Sequence, residues 1–366
     1  MGVWSGGWVR TGGGLGRRAA RACARWVRVV TARRPAGSGR AAGRWGGVRG
    51  GGRWRIALVA LGLAALPFAG CGLGAGKTPT GVRLDVTRGF GADSLLSLRA
   101  PNNHGEETVM SLLLRNATVT TRYGGGFVES VDGHSGGHEG GQPVDWFYYV
   151  NGVQAPKGAA ETNVQQGDRV WWDLHDWSQT DEVPAVVGSF PQPFLTGVEG
   201  KRLPVRVECA LPAGTTCRTV TSHLRAAGIT SAVAELGPAG EEPDTLRLLV
   251  GTWSQVSGDP GARKLESGPS ASGVYARPSS SGRSIALLDA QGATVRTLTG
   301  SDGLIAATRY TEQEPEWLIT GTDVAGVQLA ASHLDEAALY DRFAVAITAS
   351  GGLLALPQPG GESGRG

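Results

Sequence analysis

The sequence predicts an α+β protein with two folded parts behind an N-terminal signal segment. Three observations support this fold class. The length of 366 residues suits about two domains. From residue 80 to about 182, stretches that alternate apolar and polar residues flank one short helical stretch. From about residue 203 to 350, strand and helix signals alternate, as in a mixed α/β domain.

The N-terminal leader differs in composition from the rest of the chain. The first 55 residues hold thirteen arginines and neither aspartate nor glutamate. Removing those 13 from the 35 basic residues leaves 22 against 32 acidic residues, a net charge of −10 instead of +3. A nucleic-acid-binding protein needs clustered cations on its folded part. We find no such cluster after residue 71, so we expect no nucleic-acid partner.

Residues 56 to 71 have the pattern of an export signal that ends in a modifiable cysteine. The run IALVALGLAALPFAG is uncharged, follows Arg53 and Arg55, and is shorter than a spanning helix. The stretch LPFAGC resembles a bacterial lipobox, which implies lipidation of Cys71 and a position on the outer face of the plasma membrane. The alternative is a buried cysteine at the end of a core helix. We therefore expect residues 1–71 to be a disordered basic leader plus a lipoprotein signal peptide.

Cys209 and Cys217 remain as a pair once Cys23 and Cys71 are placed in the leader. An exported protein folds in an oxidising compartment, so a disulfide is expected between a strand and the following helix. A metal-binding pair is the alternative, but no second Cys/His pair of suitable spacing follows. We predict no metal site.

The first domain, residues 80–182, is predicted to contain strands around one helix. GVRLDVTRGF alternates as a half-buried strand does, and Val109, Leu112 and Leu113 have helical spacing that ends near Asn116. Two further strand-like stretches, DWFYYV and RVWWDL, are separated by the hairpin signal Asn151-Gly152 and a loop.

Four motifs in this region resemble one known family. They are ETVMSLLL, GGGFVESVDG, DWFYYVNG and a Gly-Asp pair before WWDL. The family is that of transcobalamin C-terminal-like domains, catalogued as domain of unknown function 4430. The resemblance covers about a hundred residues and implies a β-grasp-like fold. It also implies a corrinoid as the ligand, since the namesake domain helps to enclose one.

The aromatic side chains of these strands are the candidate ligand-binding residues. Alternation places neighbouring aromatics on opposite faces of the sheet, so one set faces the core and the other faces outward. Large exposed aromatics commonly mark a ligand or partner surface. The alternative is that a helix and loops cover both faces. The predicted site consists of Trp146, Tyr148, Tyr149, Asn151, Trp171 and Trp172.

The histidines of the first domain give weaker signals. His134 and His138 have a metal-ligand spacing, but HSGGHEGG is too rich in glycine to hold a helix, and a solvent-facing loop is favoured. His175 lies between two aspartates in WDLHDW. No nucleophile motif accompanies it, so the sequence does not indicate a general base.

The remaining segments are a linker over 183–202, an α/β domain over 203–350 and a disordered tail over 351–366. The linker PAVVGSFPQPFLTGVEGKRLP has four prolines and is expected to be an extended connector that packs on a neighbour. The second domain shows no Walker loop, dinucleotide fingerprint, nucleophile elbow or zinc motif. Asp323, directly after a strand, is its one candidate acid.

These observations predict an exported, lipid-anchored, non-enzymatic surface protein. We expect it to bind a small ligand, which the family resemblance suggests is a corrinoid, or to capture that ligand for an importer. The alternative function is an envelope scaffold that binds another protein, and an uncharacterised hydrolase ranks third. Apart from the bound ligand, no cofactor is expected.

Overall fold

The computed structural model of the protein describes residues 81–100, 107–237, 244–311 and 314–360. All of them belong to one compact unit of the chain. The predicted signal peptide and Cys71, the predicted site of lipidation, lie outside the described residues. Within the described ranges, no helix is both long and apolar enough to cross a membrane.

A mixed sheet forms the first part of the fold, as the α+β class predicts. Strand β1 lies between β2, to which it is antiparallel, and β9, to which it is parallel. The strand order is β2-β1-β9-β7-β6, with β8 beside β7. A small second sheet has the order β3-β4-β5. The strands are β1 Val82–Arg88, β2 Asp93–Ala100, β3 Val119–Arg122, β4 Phe127–Val131, β5 His134–Ser135, β6 Gly137–Glu139, β7 Gln142–Val150, β8 Val153–Gln154 and β9 Arg169–Asp176.

Helix α1, Val109–Asn116, covers one face of the mixed sheet. Thr108 begins the helix, because its side chain accepts a hydrogen bond from the Ser111 backbone N–H at 3.2 Å. The buried side of α1 includes Leu112 and Leu113, as their spacing predicts. A helix on a mixed sheet with parallel first and last strands is the β-grasp-like arrangement that the family resemblance implies.

A seven-stranded sheet forms the second part, with the order β11-β10-β12-β17-β16-β18-β19. The first four of these strands are parallel, and β16, β18 and β19 are antiparallel to their neighbours. Helices α2, Thr215–Ala226, and α6, Val324–Ser332, pack together on one face. The strands are β10 Val205–Cys209, β11 Ala232–Glu235, β12 Leu246–Val250, β16 Gly303–Arg309, β17 Pro315–Gly321, β18 Ala344–Ile347 and β19 Leu353–Leu356.

Short helices and a three-stranded sheet fill the chain between β12 and β16. This sheet has the order β13-β14-β15. Its strands are β13 Ala276–Pro278, β14 Ile285–Leu288 and β15 Thr294–Leu298. The helices of the second part are α2 Thr215–Ala226, α3 Trp253–Val256, α4 Pro260–Arg263, α5 Pro269–Ser272, α6 Val324–Ser332 and α7 Glu336–Leu339.

The predicted disulfide is confirmed. Cys209 at the end of β10 is bonded to Cys217 in the first turn of α2. Both cysteines are buried in the core beneath α2 and α6. The bond ties the helix to the strand before it, as the sequence predicts.

Strand β19 falls within residues 351–366, which the sequence assigns to a disordered tail. It pairs antiparallel with β18, and Leu356 is buried. Residues of the predicted linker pack on a neighbouring strand, since Phe190 and Phe194 are buried against Trp317 of β17.

The two large sheets share one hydrophobic cluster and a buried ionic network. Asp85 of β1 accepts hydrogen bonds from Arg169 at 2.8 Å and from the Tyr340 hydroxyl at 2.7 Å. Arg169 also pairs with Asp341. The Tyr340 ring lies against two guanidinium groups, those of Arg83 at 4.3 Å and Arg169 at 4.5 Å. This network holds the chain before β18 against β1 and β9.

Arg247 of β12 lies among three buried carboxylates. It donates to both oxygens of Glu208 at 2.9 Å and contacts Asp259 at 2.9 Å and Glu316 at 3.2 Å. Asp259 is the N-cap of α4. Burial, the first cause, and the neighbouring carboxylates raise the pKa of Glu316 to about 8. The cluster ties the segment after β12 to the sheet.

Candidate functional site

Three of the predicted ligand-binding residues pack in the core under α1. Trp146 and Trp172 are buried, and Tyr148 is half-buried with its ring 4.9 Å from that of Trp172. The Tyr148 hydroxyl lies 2.9 Å from the Thr162 hydroxyl oxygen. These side chains share the face predicted by strand alternation, but none of them lines the larger cavities.

The other three predicted residues lie on the opposite face or in the turn. Tyr149 and Trp171 are fully buried where the first sheet meets the second. Asn151 is the left-handed residue of the hairpin turn, and its amide donates to Asp168 at 2.8 Å. Both faces of the sheet are therefore covered, which was the alternative to an exposed aromatic ligand surface.

A cleft of about 840 Å³ opens beside the buried aromatic cluster, between the first sheet and the second part of the fold. We call it the inter-sheet cleft. It is bordered by the turn after β1, the ends of β7 and β9, and residues 340–342 and 355–360. Its volume lies in the range of small-molecule sites.

His175 of β9 belongs to the lining of this cleft, although its side chain is only 1% exposed. Its ring is stacked on Phe147 at 4.5 Å and lies 4.6 Å from Phe90. Phe343 meets the ring edge-on at 5.3 Å. Nδ1 lies 2.9 Å from Asp173 Oδ1, while Nε2 makes no hydrogen bond among the described residues. The three aromatic rings thus fix the plane of the imidazole.

Asp173 is held by donors from both neighbouring segments. The backbone N–H groups of Phe90 and Gly91 donate to it at 3.0 and 2.8 Å. The Thr87 hydroxyl donates to the same carboxylate, and the Trp171 indole N–H donates to Thr87 at 2.8 Å. A carboxylate with this many donors is a fixed acceptor, so it holds the Nδ1–H side of the histidine.

The turn after β1 presents those two N–H groups because of its unusual backbone. Gly89, Phe90 and Gly91 have φ values of 68°, 60° and 82°. Consecutive N–H groups in such a turn form a concave site for an anionic oxygen. A methyl group on Gly91 would lie 1.8 Å from the Asp341 carbonyl oxygen, so only glycine fits there.

Two buried tyrosines, Tyr149 and Tyr275, belong to the same hydrophobic cluster as Phe90 and Phe343. The hydroxyl groups of Tyr149 and Tyr275 make no hydrogen bond among the described residues. Burial, and then the nearby Asp173, raises the pKa of Tyr149 well above its usual value. Burial and Asp176 raise the pKa of Tyr275 in the same way. Both phenols are therefore neutral, and neither of them lines the inter-sheet cleft.

Asp323, the sequence candidate for a hydrolytic acid, is placed elsewhere. It caps helix α6 by accepting from the Gly326 N–H at 2.8 Å, and it accepts from the Ser301 hydroxyl at 2.6 Å. These hydrogen bonds lower its pKa. Its geometry is that of a helix cap.

His134 and His138 lie on the short strands β5 and β6, with His138 exposed. Within the part of the chain that the structure describes, no three His, Cys, Asp or Glu side chains form a group that could hold a metal ion.

The family resemblance is confirmed. Residues 106–176 match the family model described as Domain of unknown function (DUF4430). This stretch runs from the start of α1 through β9 and includes Asp173 and His175. No curated protein matches the chain.

Among solved structures, one similar chain is a proposed metal-binding protein from Ruminococcus gnavus ATCC 29149. It is 16% identical, and the similarity covers 26% of this chain and 97% of that one, with a TM-score of 0.21. At that TM-score, the likeness supports no conclusion about fold or ligand.

Sequence reasoning missed the cleft because its parts are distant along the chain. Two local signals were present: the sequence GFG after a strand and the Asp-x-His spacing in WDLHDW. Residues two apart on a strand share a face, so Asp173 and His175 could have been paired from the sequence. The turn that holds Asp173 lies more than eighty residues away.

Proposed function

We propose that this protein binds a small ligand in the inter-sheet cleft without transforming it. His175 is the group that the ligand meets. The observation that carries the proposal is the pairing of Nδ1 with a multiply hydrogen-bonded carboxylate, while Nε2 has no hydrogen-bond partner among the residues that the structure describes. An imidazole held in this way offers one directed lone pair at the wall of a cleft of suitable size.

The ligand that suits this chemistry best carries its own metal ion with one position open to an imidazole. Histidines that bind metals commonly donate their other ring N–H to a carboxylate, which orients the ring and raises its basicity. A single imidazole is too few ligands to hold a bare metal ion. A corrinoid, the ligand class that the family resemblance implies, fits because its macrocycle supplies the other cobalt ligands.

We also propose that the protein acts on the outer face of a bacterial plasma membrane, anchored by lipid on Cys71. The basic flank, the apolar run and the lipobox-like LPFAGC support this location. The Cys209–Cys217 disulfide supports export, because such bonds persist in oxidising compartments. Capture of the ligand for an importer would follow from this position.

The ligand proposal is tested by thermal melting and tryptophan fluorescence of residues 72–366 with corrinoids and nucleosides. We expect a corrinoid to raise the melting temperature in proportion to the logarithm of its concentration and to quench fluorescence. His175→Gln should lose both responses. His138→Gln, which changes an exposed histidine on β6, should keep them. No response from either ligand class would move the proposal to an envelope protein partner.

The anchor is tested separately by labelling the full chain with radioactive palmitate in a bacterial host. We expect the wild-type chain to be labelled and Cys71→Ser to be unlabelled. Equal labelling of both chains, or of neither, would contradict lipidation at this cysteine.

A further inference from the structure

Three exposed aromatic side chains lie on the outer surface of the first part of the fold. Tyr123 is 87% exposed and Phe127 is 38% exposed, with their rings 6.2 Å apart in an edge-on arrangement. Trp177, just after β9, is 37% exposed. The remaining exposed large aromatic side chain in the described part of the chain, Tyr310, lies in the second part. This concentration on one surface requires an explanation other than chance exposure.

A row of polar contacts joins these rings. Arg122, next to Tyr123, forms an ion pair with Glu129. The Glu129 carbonyl oxygen accepts from the Gly136 N–H at 2.9 Å. The Asp145 carboxylate lies against Gly136, where a methyl group would be 2.4 Å from its Oδ1. Burial raises the pKa of Asp145, and the nearby Trp177 indole opposes that rise, so the indole lies close to this carboxylate. We call Tyr123, Phe127, Trp177 and this polar row the aromatic ridge.

The conformation of Tyr123 keeps its ring in solvent. Its φ of 53° is in the left-handed region that residues with side chains rarely adopt. The ring contacts Phe127 but stays largely uncovered, so burial does not compensate for this backbone. Unfavourable backbone conformations that packing does not explain are concentrated at functional positions.

The chemistry of the ridge selects one class of partner. Sugar rings have an apolar C–H face that stacks on aromatic rings, and their hydroxyl groups bind carboxylates and guanidinium groups. Along the ridge, aromatic rings alternate with charged and polar groups. Its cation, Arg122, is paired with Glu129, so no free positive charge attracts phosphate or another polyanion. A protein partner would need a contiguous apolar centre, whereas these aromatics are separated by charged groups.

We propose that the aromatic ridge is a binding site for a neutral polysaccharide, separate from the inter-sheet cleft. Tyr123 and Trp177 stack on sugar rings at the two ends of the ridge. Asp145 and the Arg122–Glu129 pair bind hydroxyl groups between them. The protein would thereby contact a glycan polymer while its cleft holds a small ligand.

The test is affinity electrophoresis of the full chain in native gels that contain a soluble β-glucan, α-glucan or β-mannan. We expect at least one polymer to slow the wild-type chain. Tyr123→Ala and Trp177→Ala should each weaken binding by about tenfold, the loss expected when a stacked aromatic is removed. Tyr310→Ala is the matched control, because Tyr310 is 37% exposed, like Trp177, and lies off the ridge.

Melting temperatures check that the variants are folded, since all three side chains are on the surface. The proposal is overturned if none of the polymers slows the wild-type chain. It is also overturned if Tyr310→Ala weakens binding as much as the ridge variants do. Retention of glycan binding by the Tyr123→Ala, Trp177→Ala double variant would place the glycan elsewhere and overturn it too.

Discussion

The unfolding free energy of the protein should fall as the pH rises from 5 to 8, and replacing Glu316 by glutamine should remove much of that fall. Burial, supported by nearby carboxylates, raises the pKa of Glu316 from 4.5 to about 8. The folded protein therefore keeps a proton that the unfolded chain releases above pH 4.5. Stability from this group is fully present below that pH and is lost as the pH rises through 8.

The magnitude follows from the size of the shift. One pKa unit corresponds to about 1.36 kcal/mol, so this carboxyl accounts for roughly 3.5 kcal/mol of lost unfolding free energy between pH 5 and 8. Glutamine imitates the protonated acid in shape and still accepts a hydrogen bond from Arg247 through its amide oxygen. The variant should therefore show a flatter pH profile and should be the more stable protein at pH 8.

Urea denaturation at several pH values, followed by tryptophan fluorescence, measures this directly. Glu161→Gln is the control, because Glu161 is an exposed carboxylate outside the Arg247 cluster. It should leave the wild-type profile unchanged. If Glu316→Gln retains the full wild-type slope, the excess proton is not held at this position and the reasoning is refuted.

Three further substitutions test the elements around the site. Gly91→Ala should lower the unfolding free energy by about 2 kcal/mol or more, as strained core substitutions do, because its methyl group would clash with the Asp341 carbonyl oxygen. Chemical denaturation measures this loss. Thr87→Val should weaken ligand binding in the cleft by roughly tenfold, since it removes a hydroxyl donor from Asp173; unchanged affinity in fluorescence titration would contradict that role. Cys217→Ser should cost about 2.5 kcal/mol, the loop-closure value for a separation of 8 residues; an unchanged melting temperature would contradict it.

Local patterns predicted much of the fold. Alternation along DWFYYV and RVWWDL assigned Trp146 and Tyr149 to opposite faces, and they belong to separate hydrophobic clusters. The hairpin signal Asn151-Gly152 gave the turn between β7 and β8. The spacing of Cys209 and Cys217 gave the disulfide. Each of these features depends on neighbours that are close in sequence.

Features made by distant contacts could not be predicted in this way. LLAL in the assumed tail is a strand because β18 supplies a partner for its backbone. The carboxylates around Arg247 come from separate strands and a helix cap, so no spacing of nearby residues predicts this cluster. The cleft likewise depends on a left-handed Phe90 that sequence propensity does not indicate.

His175 Nε2 is the atom that we propose contacts the ligand. The most direct measurement is the visible absorption of aquocobalamin titrated with residues 72–366 and with the His175→Gln variant. Exchange of the cobalt-bound water for an imidazole changes the spectrum, so the wild-type protein should shift the absorption bands to saturation, and the variant should not. Identical spectra for the two proteins would contradict the central claim.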